Sequence, residues 1–349
     1  MTRKVMIGSV AIGGGSPIAV QSMTNTNTLN VADTLAQIER LQQAGCEIVR
    51  VAVPDQESAQ SFAEIRRQTG VPLIADIHFD YRLALAAMDA GADKIRINPG
   101  NIARAEHLQA IAQKALACRI PIRIGVNSGS LEKDLLQQEG GPTVNALVTS
   151  ALRNIDRMRQ LGVHDLVLSI KSSNARKTID CYREISQKTD IPLHIGLTEA
   201  GPVRIGTIKS SVVLGALLAQ GIGDTLRVSL TGDPVEEVWV ARQILTTLDL
   251  RSQGIRLISC PTCSRTQVDL ISIAEEVEKR LQGVEKPLTV AIMGCEVNGP
   301  GEAREADLGV ACGRHRAVLF KRGQIIRRIE ENQIIDELLK EIDNWNPEK

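Results

Sequence analysis

At 349 residues the chain is longer than most single domains, although a barrel of roughly 250 residues still counts as one. Lysine plus arginine and aspartate plus glutamate both number 41, and the resulting zero net charge argues against broad attraction to nucleic acid or to an anionic membrane. An aromatic content of 2% weakens any reading based on base stacking, and no apolar run reaches the ~18 residues of a membrane span.

The N-terminus, M-T-R-K-V-M-I-G-S-V-A-I-G-G-G, has a basic start and an apolar continuation like a secretory leader. The apolar part is short and broken by glycine, with no small-residue cleavage pattern, so a β-hairpin is expected. From there to about residue 250 a short β-rich run alternates with a longer helical stretch. Strands are predicted at 18–23, 47–53, 72–77, 94–99, 121–127, 166–171, 193–197 and 225–230. In the intervening segment 31–44, Val31, Leu35, Ile38 and Leu41 mark one helical face and Gly45 ends it. Eight such units imply a parallel sheet closed into a (β/α)8 TIM-type barrel. An open doubly wound sheet is the alternative, but it wants G-x-G-x-x-G after its first strand, and the glycines at 13–15 precede it.

After L-D-L-R-S-Q-G (248–254) the pattern changes to a strand (255–259), a helix (267–282), a strand (288–292), a Gly-rich loop, a hairpin (309–329) and a final helix (331–343). Two domains are expected, a barrel at 1–252 and a small α+β domain at 253–349 that packs close to it.

Active sites of such barrels sit at the C-terminal strand ends. The expected strands carry Arg50, Asp76, Arg96, Asn98, Arg123, Asn127, Lys171, His194, Asp224, Arg227 and Ser229, with His78, Asn101, Thr198 and Glu199 in the loops beyond. Burying a cation in an apolar strand costs several kcal/mol unless something compensates it. Five cations (Arg50, Arg96, Arg123, Lys171, Arg227) face three acids (Asp76, Glu199, Asp224). An internal salt-bridge network accounts for any one of them; the excess points to a polyanionic small ligand such as a phosphate or diphosphate ester. The loop G-V-N-S-G-S (125–130) offers backbone N–H donors for it. His78 and His194 read as hydrogen-bonded structural residues. Glu199, in the turn T-E-A-G, is either a general acid or base at the barrel mouth or a carboxylate complementing a helix dipole.

Seven cysteines are present. Cys46, Cys118 and Cys181 sit among helical residues as small core hydrophobes, and the set fits a reducing, cytoplasmic setting. Cys260 and Cys263 lie in S-C-P-T-C-S-R-T, and Cys295 lies in M-G-C-E-V-N-G-P-G-E-A. Three thiolates suit zinc with Cys312 or His315 as fourth ligand, or a [4Fe–4S] cluster with one unusual ligand, for which Glu302 is the candidate and Glu296 the competitor. A thioredoxin-like redox pair lacks its βαβ setting. Spacing alone leaves zinc and a cluster level.

Taken together, V-Q-S-M-T-N-T, I-V-R-V-A-V-P, A-D-I-H-F-D, R-I-N-P-G-N, I-G-V-N-S-G-S-L-E, S-I-K-S-S-N, G-L-T-E-A-G, G-D-T-L-R-V-S-L-T, S-C-P-T-C-S-R-T and G-C-E-V-N-G-P-G-E-A span nearly the whole chain. In this order they resemble the bacterial 4-hydroxy-3-methylbut-2-en-1-yl diphosphate synthase family of non-mevalonate isoprenoid synthesis. The resemblance implies a TIM-type barrel joined to a [4Fe–4S] domain, with Cys260, Cys263, Cys295 and Glu302 as cluster ligands. It implies 2-C-methyl-D-erythritol 2,4-cyclodiphosphate as substrate, gripped by Arg50, Arg96, Arg123, Asn127 and Lys171, with Glu199 and Glu302 catalytic. Flavodoxin or ferredoxin is then the electron donor, and a head-to-tail homodimer the assembly. The segment G-V-A-C-G (309–313) departs from the family by placing Cys312 where glycine or another small residue is expected, and a harmless buried thiol is the simplest reading. Two other readings stand beside it: a zinc-stapled phosphate-binding barrel of pterin or aldol type, and an iron–sulfur sensor.

Overall fold

The computed structural model describes residues 1–102, 104–251, 254–281, 284, 286–295, 303 and 305–346. They form two compact units, Met1–Leu250 and Arg251–Lys349.

The first unit opens on an antiparallel hairpin, β1 (Val5–Ile7) with β2 (Val10–Ile12), Val5 opposite Ile12. Eight parallel strands follow: β3 (Ala19–Met23), β4 (Ile48–Ala52), β5 (Leu73–Asp76), β6 (Lys94–Ile97), β7 (Ile122–Asn127), β8 (Leu166–Lys171), β9 (His194–Ile195) and β10 (Thr225–Leu226). Their order is β8-β7-β6-β5-β4-β3-β10-β9, and a parallel bridge between Leu168 and Leu193 joins the two ends, giving the expected barrel. The seventh and eighth strands are shorter than predicted. Gly196 passes so close to the Arg227 carbonyl that a Cβ would stand 2.6 Å from it, and the chain then turns at Glu199 with φ +54°.

The connecting helices are α1 (Val31–Gln43), α2 (Gln56–Gln68), α3 (Tyr81–Asp89) and α4 (Ala105–Cys118). A pair, α5 (Lys133–Glu139) and α6 (Val144–Gln160), separates β7 from β8, and α7 (Ala175–Ser186), α8 (Val203–Leu218) and α9 (Pro234–Thr247) complete the ring. Asn30, Asp55, Asp80, Thr143, Asn174 and Asp233 each accept a backbone N–H from the first turn that follows, which fixes where those helices begin. Gly45 ends α1 at φ +92°, as expected.

Side chains alternate along the strands. Val49, Val51, Leu73, Ala75, Ile95, Ile97, Ile122 and Ile124 join the main core beneath the helices. Ala19, Ile48, Ile74 and Val167 point the other way and pack with Val5, Ile7 and Ile12 of the hairpin, which thereby floors the barrel.

In the second unit, β11 (Ile255–Ser259), β12 (Leu288–Met293), β13 (Leu308–Gly313), β14 (Arg316–Lys321) and β15 (Gln324–Glu330) form one sheet in chain order. The first three strands are parallel and the last pairs antiparallel. The region read as one hairpin is thus a three-stranded meander. Its turns place His315 (φ +64°) and Arg322 (φ +47°) in the left-handed region, where glycine is the usual signal. Helices α10 (Leu270–Leu281) and α11 (Ile334–Asp343) cover one face, with Ile273, Val277, Leu338 and Ile342 in one core with Val290, Val310 and Leu319. Among the described residues no helix is long and apolar enough to cross a membrane.

Candidate active site

The inward positions of the barrel are polar above the apolar floor. Period-two alternation sets Lys94 with Arg96 on β6, Arg123 with Asn127 on β7, and Ser169 with Lys171 on β8. Arg50, Lys94, Arg96, Arg123 and Lys171 are each at most 9% exposed. Asp76, the last residue of β5, is their shared counter-ion. Its carboxylate lies 3.2 Å from Arg96 Nη1, 3.7 Å from Arg50 Nε and 3.3 Å from His78 Nε2. Burial works against ionisation of Asp76, yet Arg50, the His78 hydrogen bond, Arg96 and Arg123 together hold its carboxyl well below the usual range. Gly125 makes room for the array, since a Cβ there would stand 3.0 Å from Arg96 Nε.

One carboxylate cannot balance the rest. Burial, then repulsion from Arg50 and Arg96, drives the proton affinity of Arg123 far down, and Lys171 is lowered by burial and by Arg123, Arg50, Arg227 and Arg96. Arg50 falls to about 10 for the same first reason, burial, with Asp76 opposing. Nε and Nη1 of Arg123 are buried without a hydrogen-bond partner. A chamber so built is short of negative charge and is complementary to a polyanion.

The fifth cation is spoken for. Arg227 forms a bidentate pair with Glu237 of α9, Nε to Oε2 at 3.1 Å and Nη2 to Oε1 at 3.2 Å, and Ser22 Oγ donates to the same carboxylate. Sequence reading missed Glu237 because it comes from a helix ten positions further on. It also credited Asp224 to the site; instead Asp224 begins the eighth unit at the barrel's lower end, accepting from Thr2 Oγ1 at 2.5 Å and the Leu193 N–H at 2.7 Å. Met23, also missed, puts its thioether sulfur 2.9 Å from Arg50 Nη2 and 3.6 Å from Arg227 Nη1. Lys94 was overlooked although K-I-R-I shows it in phase with Arg96.

Asn127 ends β7 in register with Lys171. His194 is fully buried, its Nδ1 2.7 Å from Thr225 Oγ1, while the Tyr182 hydroxyl donates to its carbonyl oxygen at 2.6 Å. Glu199 is exposed in its turn beyond β9. Of the three cysteines read as core, Cys46 and Cys181 are buried, but Cys118 ends α4 on an exposed face.

In the second unit Cys260 follows β11 directly, and Cys295 lies two residues beyond the neighbouring parallel strand β12. The Gly294 N–H donates to Cys260 Sγ at 3.2 Å, the Gln267 N–H to the Gly294 carbonyl at 3.2 Å, and the Thr266 N–H to the Cys263 carbonyl at 3.0 Å. These bonds gather the three cysteine loops at one end of the sheet. Backbone and side-chain hydrogen bonds from Arg265 lower the pKa of the exposed Cys263 thiol. The donor set fits a thiophilic metal group, although among the described residues no three ligating side chains converge on one point. Glu302, like Glu296, lies outside the described residues. Cys312 is wholly buried in β13, its thiol pushed up to about 12 by burial and by Glu331 and Cys260, and His315 is exposed in the next turn.

Family comparison resolves which lineage built this pair of units. The GcpE TIM-barrel domain matches residues 2–242, and the GcpE protein C-terminal domain matches residues 256–344. The chain belongs to the GcpE family. Among curated relatives of this GcpE protein, the 4-hydroxy-3-methylbut-2-en-1-yl diphosphate synthase (flavodoxin) of Caldanaerobacter subterraneus subsp. tengcongensis is 54% identical over 100% of this chain and 98% of the relative. Those of Clostridium acetobutylicum (55%, over 98% of each chain) and Geobacter sulfurreducens (53%, over 100% of this chain and 99% of the relative) carry the same name. Among solved structures, dihydropteroate synthase from Yersinia pestis aligns with TM-score 0.53 at 15% identity, covering 71% of this chain and 98% of that one. The Stenotrophomonas maltophilia enzyme gives 0.54 at 13%, covering 71% and 97%. At that identity the likeness concerns the fold alone.

Proposed function

We propose that this chain is a 4-hydroxy-3-methylbut-2-en-1-yl diphosphate synthase that uses flavodoxin, opening 2-C-methyl-D-erythritol 2,4-cyclodiphosphate with two electrons and releasing a hydroxyl as water. The observation that carries this is identity above 50% to synthases of that name along the full length of both chains.

The barrel supplies binding and orientation. Arg50, Arg96, Arg123 and Lys171, with Asn127 at the rim, grip the two phosphoryl groups and supply the charge that Asp76 leaves unmatched. Asp76 ties Arg50 and Arg96 to one carboxylate. Glu199 stands at the mouth, and its carboxylate oxygens carry the proton that leaves with the hydroxyl. Cys260, Cys263, Cys295 and Glu302 hold a [4Fe–4S] cluster, which when bound supplies the electrons and a Lewis-acidic iron. The enzyme works in the cytoplasm as a head-to-tail homodimer, one subunit's second unit serving the other's barrel.

Anaerobic purification tests the reading. Expected are about four iron and four sulfide per chain and turnover of the cyclodiphosphate with reduced flavodoxin. Stoichiometric zinc in place of iron would overturn it in favour of a zinc-stapled barrel.

A further inference from the structure

Beneath the ring assigned to the diphosphate, Lys94, His194 and Gln21 form a second polar layer, in contact with Arg123 through the field, to which this function gives no part. Lys94 opens β6, faces inward two residues before Arg96, and exposes none of its surface. Among the described residues its Nζ has no hydrogen-bond partner; nor have Nε and Nη1 of Arg123, Nε2 of His194 or the side-chain amide of Gln21. All four residues are at most 1% exposed. The apolar floor of Ala19, Ile48, Ile74 and Val167 beneath the hairpin closes the layer from below.

The charges facing this interior are mostly of one sign. Arg50 comes from β4, Arg96 from β6 itself, Arg123 from β7, Lys171 from β8 and Arg227 from just beyond β10, with neutral His194 on β9. Tyr182 on α7 turns its hydroxyl to the Ile170 N–H and the His194 carbonyl. Among the described residues two carboxylates share the space, and both are engaged: Asp76 by Arg50, Arg96 and His78, Glu237 by Arg227 and Ser22. Asp93, next to Lys94 in the chain, is turned to Arg66 and the Leu73 N–H, and Asp224 is held by Thr2 and the Leu193 N–H. Burial, then repulsion from Arg123 and Arg50, therefore leaves the Lys94 amine far easier to hold neutral than an ordinary lysine. A dianion bound against the same ring weakens that repulsion.

We propose that binding of a cyclic diphosphate in the barrel draws one proton from solvent onto Nζ of Lys94, making this buried amine a proton store beneath the substrate. The inference rests on the diphosphate reading of the barrel. The bond formed is an N–H on Nζ, the proton comes from the buffer, and no electrons move. Its use follows from the reaction. Ring opening converts a cyclic dianion into a terminal diphosphate with a third ionisable oxygen, and a protonated Lys94 offsets that added charge. Lys94 is thus a positioning residue, acting through the field on Arg123 and the phosphates. By linkage, affinity falls as pH rises through the interval in which free enzyme lacks the proton and complex holds it.

Titration calorimetry of the anaerobic holoenzyme with 2-C-methyl-D-erythritol 2,4-cyclodiphosphate, without reductant, reads the proton directly. Both phosphates of that ligand are strong acids, so it neither takes nor gives the proton near neutral pH. Binding enthalpies in HEPES and in Tris are expected to differ by the heat of moving about one proton, with Kd rising up to about tenfold per pH unit. Lys94→Met is expected to bind the ligand with no buffer dependence. Equal enthalpies in the two buffers for the wild-type enzyme overturn the proposal, whether or not the variant folds. Unchanged proton uptake in Lys94→Met overturns it as well, by moving the proton to another group. No binding in either buffer instead overturns the diphosphate reading of the barrel.

Discussion

Two cations of the barrel, the half-buried Arg227 and the buried Lys94, carry opposite lessons. Arg227 is held by Glu237, which meets two of its nitrogens and is itself fixed by accepting from Ser22 Oγ and the Leu230 N–H. Removing one half of such a pair strands the other. Glu237→Gln is therefore expected to cost about 3 kcal/mol in denaturant unfolding, and adding Arg227→Met to recover most of it. Lys94 has no partner to lose. Its folded form binds a proton less readily than the unfolded chain, whose lysine titrates near 10.5. Between those two values the unfolded state holds the extra proton, so the penalty is full below the folded value and fades as pH approaches 10.5. Lys94→Met should raise the melting temperature near neutrality and lose that advantage towards pH 10.5; a constant difference across pH would contradict it. The period-two run K-I-R-I puts Lys94 in phase with Arg96, a signal the sequence reading passed over. Glu237 was not legible, because a helix residue reaches a strand residue only once the ring of helices has closed.

Among the elements, the N-terminal hairpin illustrates a part whose role the sequence leaves open. Gly-broken apolar runs predict two short strands, and β1 and β2 form where expected. Nothing in the run says that Ile7 and Ile12, both fully buried, will seat against Ile48, Ile74 and Val167 as the barrel floor. Ile7→Ala should cost about 2–5 kcal/mol in unfolding free energy. Because the floor also excludes water from the layer of Lys94, the variant should weaken cyclodiphosphate binding, read as a rise in KM with the cluster content unchanged. The meander of β13, β14 and β15 was only half legible: Gly323 marks the second turn, whereas the first rests on His315, where glycine would have advertised it.

At the scale of the molecule, zero net charge conceals strong local separation. The barrel interior holds Arg50, Lys94, Arg96, Arg123, Lys171 and Arg227 against Asp76 and Glu237. Neutrality overall is therefore compatible with a polyanion site, and the composition excluded broad polyanion binding without excluding this one. If a second unit serves the barrel of its partner, two separately inactive variants complement each other. Arg123→Ala mixed with Cys260→Ser, dissociated and reassociated, is expected to regain up to about a quarter of wild-type activity per dimer site. Continued inactivity of the mixture would confine each reaction to one chain.

Sequence by itself determined the class of each part, because period and punctuation are local. Eight β-rich runs alternating with capped helices leave few alternatives to a closed parallel barrel, and polar residues at every second position must enter its lumen. The spacing of Cys260, Cys263 and Cys295 showed three thiols in two segments of the second unit. Only the tertiary structure decided which charges cancel. It sent Asp224 to the floor, brought Glu237 to Arg227 and, among the described residues, left Lys94 Nζ and two nitrogens of Arg123 without a partner, since ion pairing depends on distances of a few ångströms between residues far apart in the chain.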